Sequence, residues 1–342
     1  MSDTVQTLSL ITLAQQYRGD TVRQINRRSQ FLKFVRITAG EGKNVAWAPE
    51  GDGQLAENYS EGADAANFGS DTQASALLSW GLYRADIHVT KLAMDAARTS
   101  GTPMGNRALW ARNLVNASAK LASKLNGECF TGAGTGTLIA GLDVAIGSTS
   151  NTYAGIDRSN SNNAYFRPTV VDPGSSTTLT LAQIRDDLRL IYEACGENPD
   201  VAFCSPAVFN TVGALFDANR RYVQEVMTAR GVVKLDASYA GLEVDGCIFL
   251  KDKDAANTAT PSIYYCNTNH LELQYLPSAN MSGLPQFEVE ADDGFGAVPL
   301  GFDYEMLAKN GPSERAEVLS TIQLVVDRPN SMGVRRNIAL VK

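Results

Sequence analysis

Residues 39–72, AGEGKNVAWAPEGDGQLAENYSEGADAANFGSDT, form a 34-residue stretch too poor in core residues to fold by itself. It holds six glycines and seven acids, Glu41, Glu50, Asp52, Glu57, Glu61, Asp64 and Asp71, against one base, Lys43. Its net charge of −6 is almost the −7 of the whole chain. Structureless loops longer than about 12–15 residues are uncommon in compact domains unless they serve a purpose. The apolar anchors Val45, Trp47, Leu55, Tyr59 and Phe68 are too sparse for a separate core. Such a segment is either disordered or built to lie on a neighbour's surface.

Both flanks read as strands. On the N-terminal side, residues 31–37 (FLKFVRI) alternate apolar and basic, as a half-exposed strand does. On the other side, residues 76–90 (ALLSWGLYRADIHVT) are rich in aromatic and aliphatic side chains. Together they suggest a long hairpin with the acidic loop at its tip. Before it lies an arm, residues 1–37, in which, between residues 18 and 36, Arg18, Arg23, Arg27, Arg28, Lys33 and Arg36 face one acid, Asp20.

After a break at residues 102–105, a helix is expected over 106–126. Trp110, Leu114, Ala117, Leu121 and Leu125 recur at spacings of four, three, four and four, placing one apolar stripe on one face. Gly127 stands where a helix-ending glycine belongs. The charges of residues 107–126 are Arg107, Arg112, Lys120 and Lys124, with no acid.

Farther on, residues 129–163 read as loops, and residues 165–171 as a strand. Thr180 and Gln183 match a capping box opening a helix that turns Leu181, Ile184, Leu188 and Ile191 inward and stops at Gly196. Residues 201–204 form a short buried strand, and Ser205-Pro206 cap a second helix. Short strands follow at 241–250, 262–266, 270–276, 286–291, 320–327 and 333–341. Strands and helices mix without a βαβ rhythm, so the class is α+β.

Composition bounds function mainly by exclusion. At 342 residues the chain exceeds what one core supports, and an acidic balance argues against wrapping nucleic acid with the whole surface. Five scattered cysteines without a CxxC pair read as reduced, mostly buried thiols. No apolar run approaches the ~20 residues of a membrane span, and the first residues do not make a signal peptide. Gly132, Gly134 and Gly136 follow a helix instead of a strand, so a flexible hinge is expected there instead of a dinucleotide loop. His88 and His270 are too few for a histidine-rich metal site. Asp186-Asp187, Asp252/Asp254 and Asp292-Asp293 read as solvated acidic turns. No catalytic, metal or cofactor site is expected.

The charge layout is more telling. A loop of −6, a helix of +4 and an arm segment (18–36) of +5 are separated along one chain. They are either solvated faces of a monomer, or the loop of one subunit lies across the basic helix of the next. Each exposed pair contributes only about 0–1 kcal/mol, but repetition around closed rings sets register.

This order of elements resembles the major capsid proteins of tailed bacteriophages, the Hong Kong 97-type fold. The resemblance covers nearly the whole chain and is one of layout. An arm (1–37) precedes an extended loop (38–77). A strand, IHVTKLAMDAARTS (87–100), then leads into a long spine helix (106–126), and GTGTLIAGLDVAI (134–146) looks like the connector after it. The peripheral domain would comprise 78–178 and 301–342, and the axial domain 179–300. STIQLVVDRPNSMGVRRNIAL (320–340) is similar to the strands that return beside the spine helix.

The resemblance implies a non-enzymatic shell subunit without cofactors. It would form pentamers and hexamers of an icosahedral virion that encloses double-stranded DNA and assembles in the host bacterial cytoplasm. It also implies inter-subunit roles for loop residues Glu41, Lys43, Trp47, Glu50, Asp52, Glu57, Tyr59 and Glu61, and for helix residues Arg107, Arg112, Lys120 and Lys124. The basic arm (Arg18, Arg23, Arg27, Arg28) would face the interior, toward scaffold or DNA. Some relatives crosslink through a loop lysine, and Lys43 is the one lysine there. A separate scaffolding protein, a portal and decoration proteins are the implied partners, with no membrane. Two alternatives stay open: an encapsulin-like cargo compartment, and a soluble α+β enzyme or binding protein with a mobile lid at 39–72.

Overall fold

The computed structural model describes residues 31–51, 61, 72–99, 106–216, 225–228, 231–234, 242–255, 260–277, 301–308 and 311–340. The chain divides into two compact units, each discontinuous in sequence. One comprises residues 1–29, 82–126 and 275–322; the other comprises 30–81, 127–274 and 323–342. Residues 127–178 thus fall with 179–274, a partition cut differently from the expected peripheral and axial domains.

The second unit is organised by a six-stranded mixed sheet in the order Leu242–Val244, Cys247–Lys251, Val201–Cys204, Ile263–Cys266, Gly333–Arg335, Thr169–Val171. Val201–Cys204 runs parallel to Cys247–Lys251 and antiparallel to Ile263–Cys266. Every residue of VAFC and IYYC is buried, because both sheet faces are covered. Ala202, Cys204, Phe249 and Tyr265 meet the helices Leu181–Cys195 and Pro206–Ala214 on one face. On the other, the rings of Phe31, Phe130, Phe203 and Tyr264 form a chain of contacts at 4.9–6.2 Å.

Local sequence signals explain the helix ends. Thr180 accepts from the Gln183 amide and the Gln183 side chain accepts from the Thr180 amide, completing the capping box. Gly196 ends that helix in the left-handed region, and Ser205 caps Pro206–Ala214 with proline in its first turn. Replacing Thr180 with alanine is expected to lower stability by about 1 kcal/mol, read as a shifted urea midpoint at unchanged slope.

Several expectations are corrected. Residues 31–34 are helical, not a strand: Phe31, Leu32 and Val35 are all buried, and the Phe31 amide is held by Asp252 Oδ2 at 3.1 Å. Positions 31, 32 and 35 make a helical spacing, which the alternation of Lys33 and Arg36 with apolar residues disguises. Residues 241–250 are two strands, since Asp245 (φ 49°) and Gly246 (φ 87°) form a tight hairpin turn. Residues 161–166 are a 3₁₀ helix, leaving only Thr169–Val171 as strand. The expected strand at 286–291 lies outside the described residues.

Asp187 is no solvated acid. It is 1% exposed within its helix, with Arg335 Nε 2.5 Å from Oδ2 and Nη2 2.7 Å from Oδ1. The Tyr265 hydroxyl donates to the same carboxylate at 3.1 Å. Burial pushes the Asp187 carboxyl upward in pKa, and the guanidinium and the tyrosine hydroxyl oppose it. Asp252 is buried as well, and Asp254 half-buried. Asp292 and Asp293 lie outside the described residues. Four of the five cysteines are buried as expected; Cys195 is half-buried.

In the first unit, Gly81–Thr90 pairs with the long strand Ser313–Val326, whose register with Phe302–Leu307 runs antiparallel from Phe302↔Ser320 to Leu307↔Arg315. Ile87 and Val89 face inward while Leu82, Arg84, Asp86 and His88 face out, the alternation of a half-covered sheet.

The long helix spans Asn106–Thr131, running past the expected stop. Ala117, Leu121 and Leu125 of the stripe are buried and Leu114 is half-buried; the side chain of Trp110 lies outside the described residues. Gly127 does not end the helix because Cys129 and Phe130, both 0% exposed, carry it onward. The stop is Gly132, where a Cβ would lie 2.3 Å from the Ile139 carbonyl oxygen. The glycine-rich segment is consequently a closed turn, not a hinge: the Gly134 amide donates to Ile139 O at 3.0 Å and Gly141 to Gly132 O at 2.9 Å. Gly132→Ala is expected to cost about 2–3 kcal/mol, whereas Gly127→Ala, with nothing within 4 Å of the added methyl, is expected to be neutral or stabilising. Thermal melting of the two variants separates these outcomes.

Candidate assembly surfaces

The acidic stretch rises from a built foot. Arg36–Ala39 is paired with Leu271–Tyr275, and Thr38 Oγ1 donates to Glu272 Oε1. The chain then passes beneath Trp80, where a Cβ on Gly40 would lie 2.5 Å from the indole Cη2. The Trp80 indole N–H donates to Gly42 O at 3.0 Å, fixing the turn that holds Glu41 and Lys43 in solvent.

From there two arms run antiparallel. Asn44–Trp47 pairs with Ala76–Ser79, and Glu50–Gly51 continues in the same register with Thr72–Gln73. Val45, Ala76 and Leu78 are buried while Ala46, Leu77 and Ser79 face out, so one face of the ribbon is covered and the other is free for contact. Glu50 is exposed and accepts from Gln73 Nε2 at 2.9 Å. A hairpin was expected with its first arm at 31–37, but that arm lies at 44–51, inside the stretch read as structureless, while the second, 72–79, meets the start of the strand expected at 76–90. The period of two is hidden there by alanine, proline and glycine.

These arms are seated on their own chain. The Leu77 amide donates to Ala154 O at 2.8 Å, and the half-buried Trp47 ring lies 6.2 Å from that of Tyr153. At Gly51 a Cβ would approach Tyr165 Cδ1 to 2.6 Å, so only glycine lets the ribbon down onto that ring. Beneath the seat is Arg158, 0% exposed, its guanidinium 4.8 Å from the Tyr153 ring centre and 5.4 Å from that of Phe166. Nη1 donates to Ser148 O and Asn151 Oδ1, and burial pulls the Arg158 pKa down to about 10. Trp80, Gly40, Gly51 and Arg158 carry the geometry of the foot, and sequence reading passed over all four. The one available signal was the pair of glycines placed among aromatic residues.

The remaining expected contact residues are placed unevenly. Glu61 is exposed, while Asp52, Glu57 and Tyr59 lie outside the described residues. Residues 52–71 carry five acids and no base. Arg107 and Arg112 belong to the long helix, though their side chains are not among those described; Lys120 and Lys124 are exposed on it. The arm residues Arg18, Arg23, Arg27 and Arg28 lie outside the described residues. Among the described residues no group of three or more His, Cys, Asp or Glu side chains could hold a metal ion, and no helix is long and apolar enough to cross a membrane.

Residues 39–339 match the SU10 major capsid protein family. No curated protein matches the chain. Among solved structures, the chain is similar to the capsid protein in the cyanophage A-1(L) capsid asymmetric unit, with 18% identity, TM-score 0.72, and 95% of this chain and 97% of that one covered. The capsid of the native GTA particle follows with 13% identity, TM-score 0.59 and 95% coverage of each chain. The SrpI encapsulin of Synechococcus elongatus shares the fold at 10% identity and TM-score 0.61, over 99% and 98% of the two chains.

Proposed function

The chain belongs to the SU10 major capsid protein family and is a shell-forming structural subunit of a virion, and from that premise we propose that its acidic hairpin is the element that joins one copy to the next. The observation that carries this reading is the foot of the hairpin. Trp80, Gly51 and Tyr165 hold residues 44–51 and 72–79 in one register, and the sequence between them, 52–71, bears five acids without a base. Its complement is the basic helix with Arg107, Arg112, Lys120 and Lys124, whose residues 106–126 contain no acid. Opposite charges repeated around a closed ring steer encounter and fix register more than they add to any single contact.

In this reading copies of the chain form pentamers and hexamers of an icosahedral shell around double-stranded DNA. The hairpin acts as the extended loop, residues 106–126 as the spine, and residues 179–300 gather around the symmetry axes. The arm at 1–37 faces inward, where its arginines meet scaffold or phosphate non-specifically. Scaffolding protein, portal and decoration proteins are the expected partners. The likeness to encapsulin is one of fold, and family membership favours a genome container over a cargo compartment.

Light scattering and negative-stain microscopy of the purified full-length chain test the reading. Shells, rings or strong polymerisation are expected. A monodisperse 36.7 kDa monomer at high concentration would overturn it.

A further inference from the structure

His270 stands in the turn between Ile263–Cys266 and Leu271–Tyr275, with a carboxylate on each ring nitrogen. Nδ1 lies 2.9 Å from Asp327 Oδ1 and Nε2 lies 3.1 Å from Glu197 Oε2. A neutral imidazole has one N–H and one lone pair, so it can satisfy only one of these partners and must turn a lone pair toward the other. The imidazolium donates to both. Geometry therefore selects the charged ring.

The three residues come from separate parts of the second unit. Glu197 follows the helix Leu181–Cys195 and its left-handed Gly196; Asp327 follows the strand Ser313–Val326; His270 opens the strand between them in sequence. Arg328 reinforces the join, donating to Glu197 Oε1 at 2.6 Å and to the Cys195 carbonyl at 3.0 Å. Asn267 Nδ2 also donates to Glu197, at 2.9 Å. Asp200, the next carboxylate against this turn, is engaged by the Thr268 amide and hydroxyl. The hydrogen bond that His270 donates to Asp327 raises the His270 pKa above its ordinary 6.5; burial opposes the rise, and the charges of Asp327 and Glu197 add to it.

We propose that Glu197, His270 and Asp327 form a proton-operated clasp that ties the end of the helix to the end of the long strand, and that loss of the His270 proton opens its Glu197 arm. Arg328 and Asn267 already satisfy Glu197, so the single remaining proton stays on Nδ1 facing Asp327. The Nε2 lone pair then repels the Glu197 carboxylate. Because the folded pKa is raised, the clasp's stabilisation is complete below pH 6.5 and is lost as pH rises through the folded value.

The test uses the full-length chain in two measurements. Melting midpoints of the wild type should fall between about pH 6 and 8, by on the order of 2 °C, with His270→Gln lacking that fall. Ring-nitrogen NMR of the wild type should show both His270 nitrogens still protonated above pH 6.5. An unchanged pH step in His270→Gln, or a His270 pKa at or below 6.5, would overturn the proposal. The NMR measurement stands even if the variant does not fold.

Discussion

Reversing Glu50, Asp52, Glu57 and Glu61 to lysine is expected to abolish shell formation while leaving the subunit folded. Glu50 and Glu61 are exposed, and the contact Glu50 makes with Gln73 is an exposed side-chain bond of small worth. The foot of the hairpin does not depend on these charges, since Trp80, Val45, Leu78 and the rings of Tyr153 and Tyr165 hold it. Circular dichroism and the melting midpoint should stay near wild type while light scattering falls to the monomer level. The effect should shrink as salt rises, because exposed charges are screened beyond about 10 Å at 0.1 M. Reversing Arg107, Arg112, Lys120 and Lys124 to glutamate in the same chain should restore assembly and identify the partner face. Shells of normal yield and salt resistance from the acidic-to-lysine variant alone would sink electrostatic docking, even with the fold intact.

The largest effect on stability is expected from Arg335→Met. Arg335 and Asp187 are 6% and 1% exposed, and their bidentate pair lies on the helix-covered side of the six-stranded sheet. Removing the guanidinium leaves a buried carboxylate with only the Tyr265 hydroxyl as a side-chain donor, at a cost of about 3–5 kcal/mol. Asp187→Leu in the same chain should recover most of that loss, because a buried ion pair replaced by apolar residues is often neutral. Urea denaturation of the two variants reads the difference directly. An Arg335→Met variant within about 0.5 kcal/mol of wild type would show that the pair is solvated.

The parts of the fold legible in sequence are those where a local signal and the tertiary environment agree. Thr180 with Gln183, Ser205 with Pro206, and the Ala117–Leu121–Leu125 stripe each state their structure in a few residues. The misreadings lie where distant packing overrides the local signal. Gly127 stays helical because Cys129 and Phe130 are buried beyond it, and Phe31 is helical because Asp252, far along the chain, holds its amide. Asp187 looked solvated because its partner is Arg335, 148 residues away.

For the assembly surfaces the separation of charge was legible, but the foot of the hairpin was not. It depends on where Tyr165 and Trp80 meet two glycines, and no spacing rule reports a contact of that kind. The long acidic stretch has also changed in meaning. Residues 39–51 are held by their own chain, so the proposed contact with a neighbour now rests on residues 52–71.

A reconstruction of the assembled shell, resolved well enough to trace residues 52–71, tests that claim most directly. The account predicts this segment extended across the helix 106–126 of an adjacent copy, with its carboxylates within reach of Arg107, Arg112, Lys120 or Lys124. A segment folded back onto its own subunit, or lying against a face without basic residues, would contradict it.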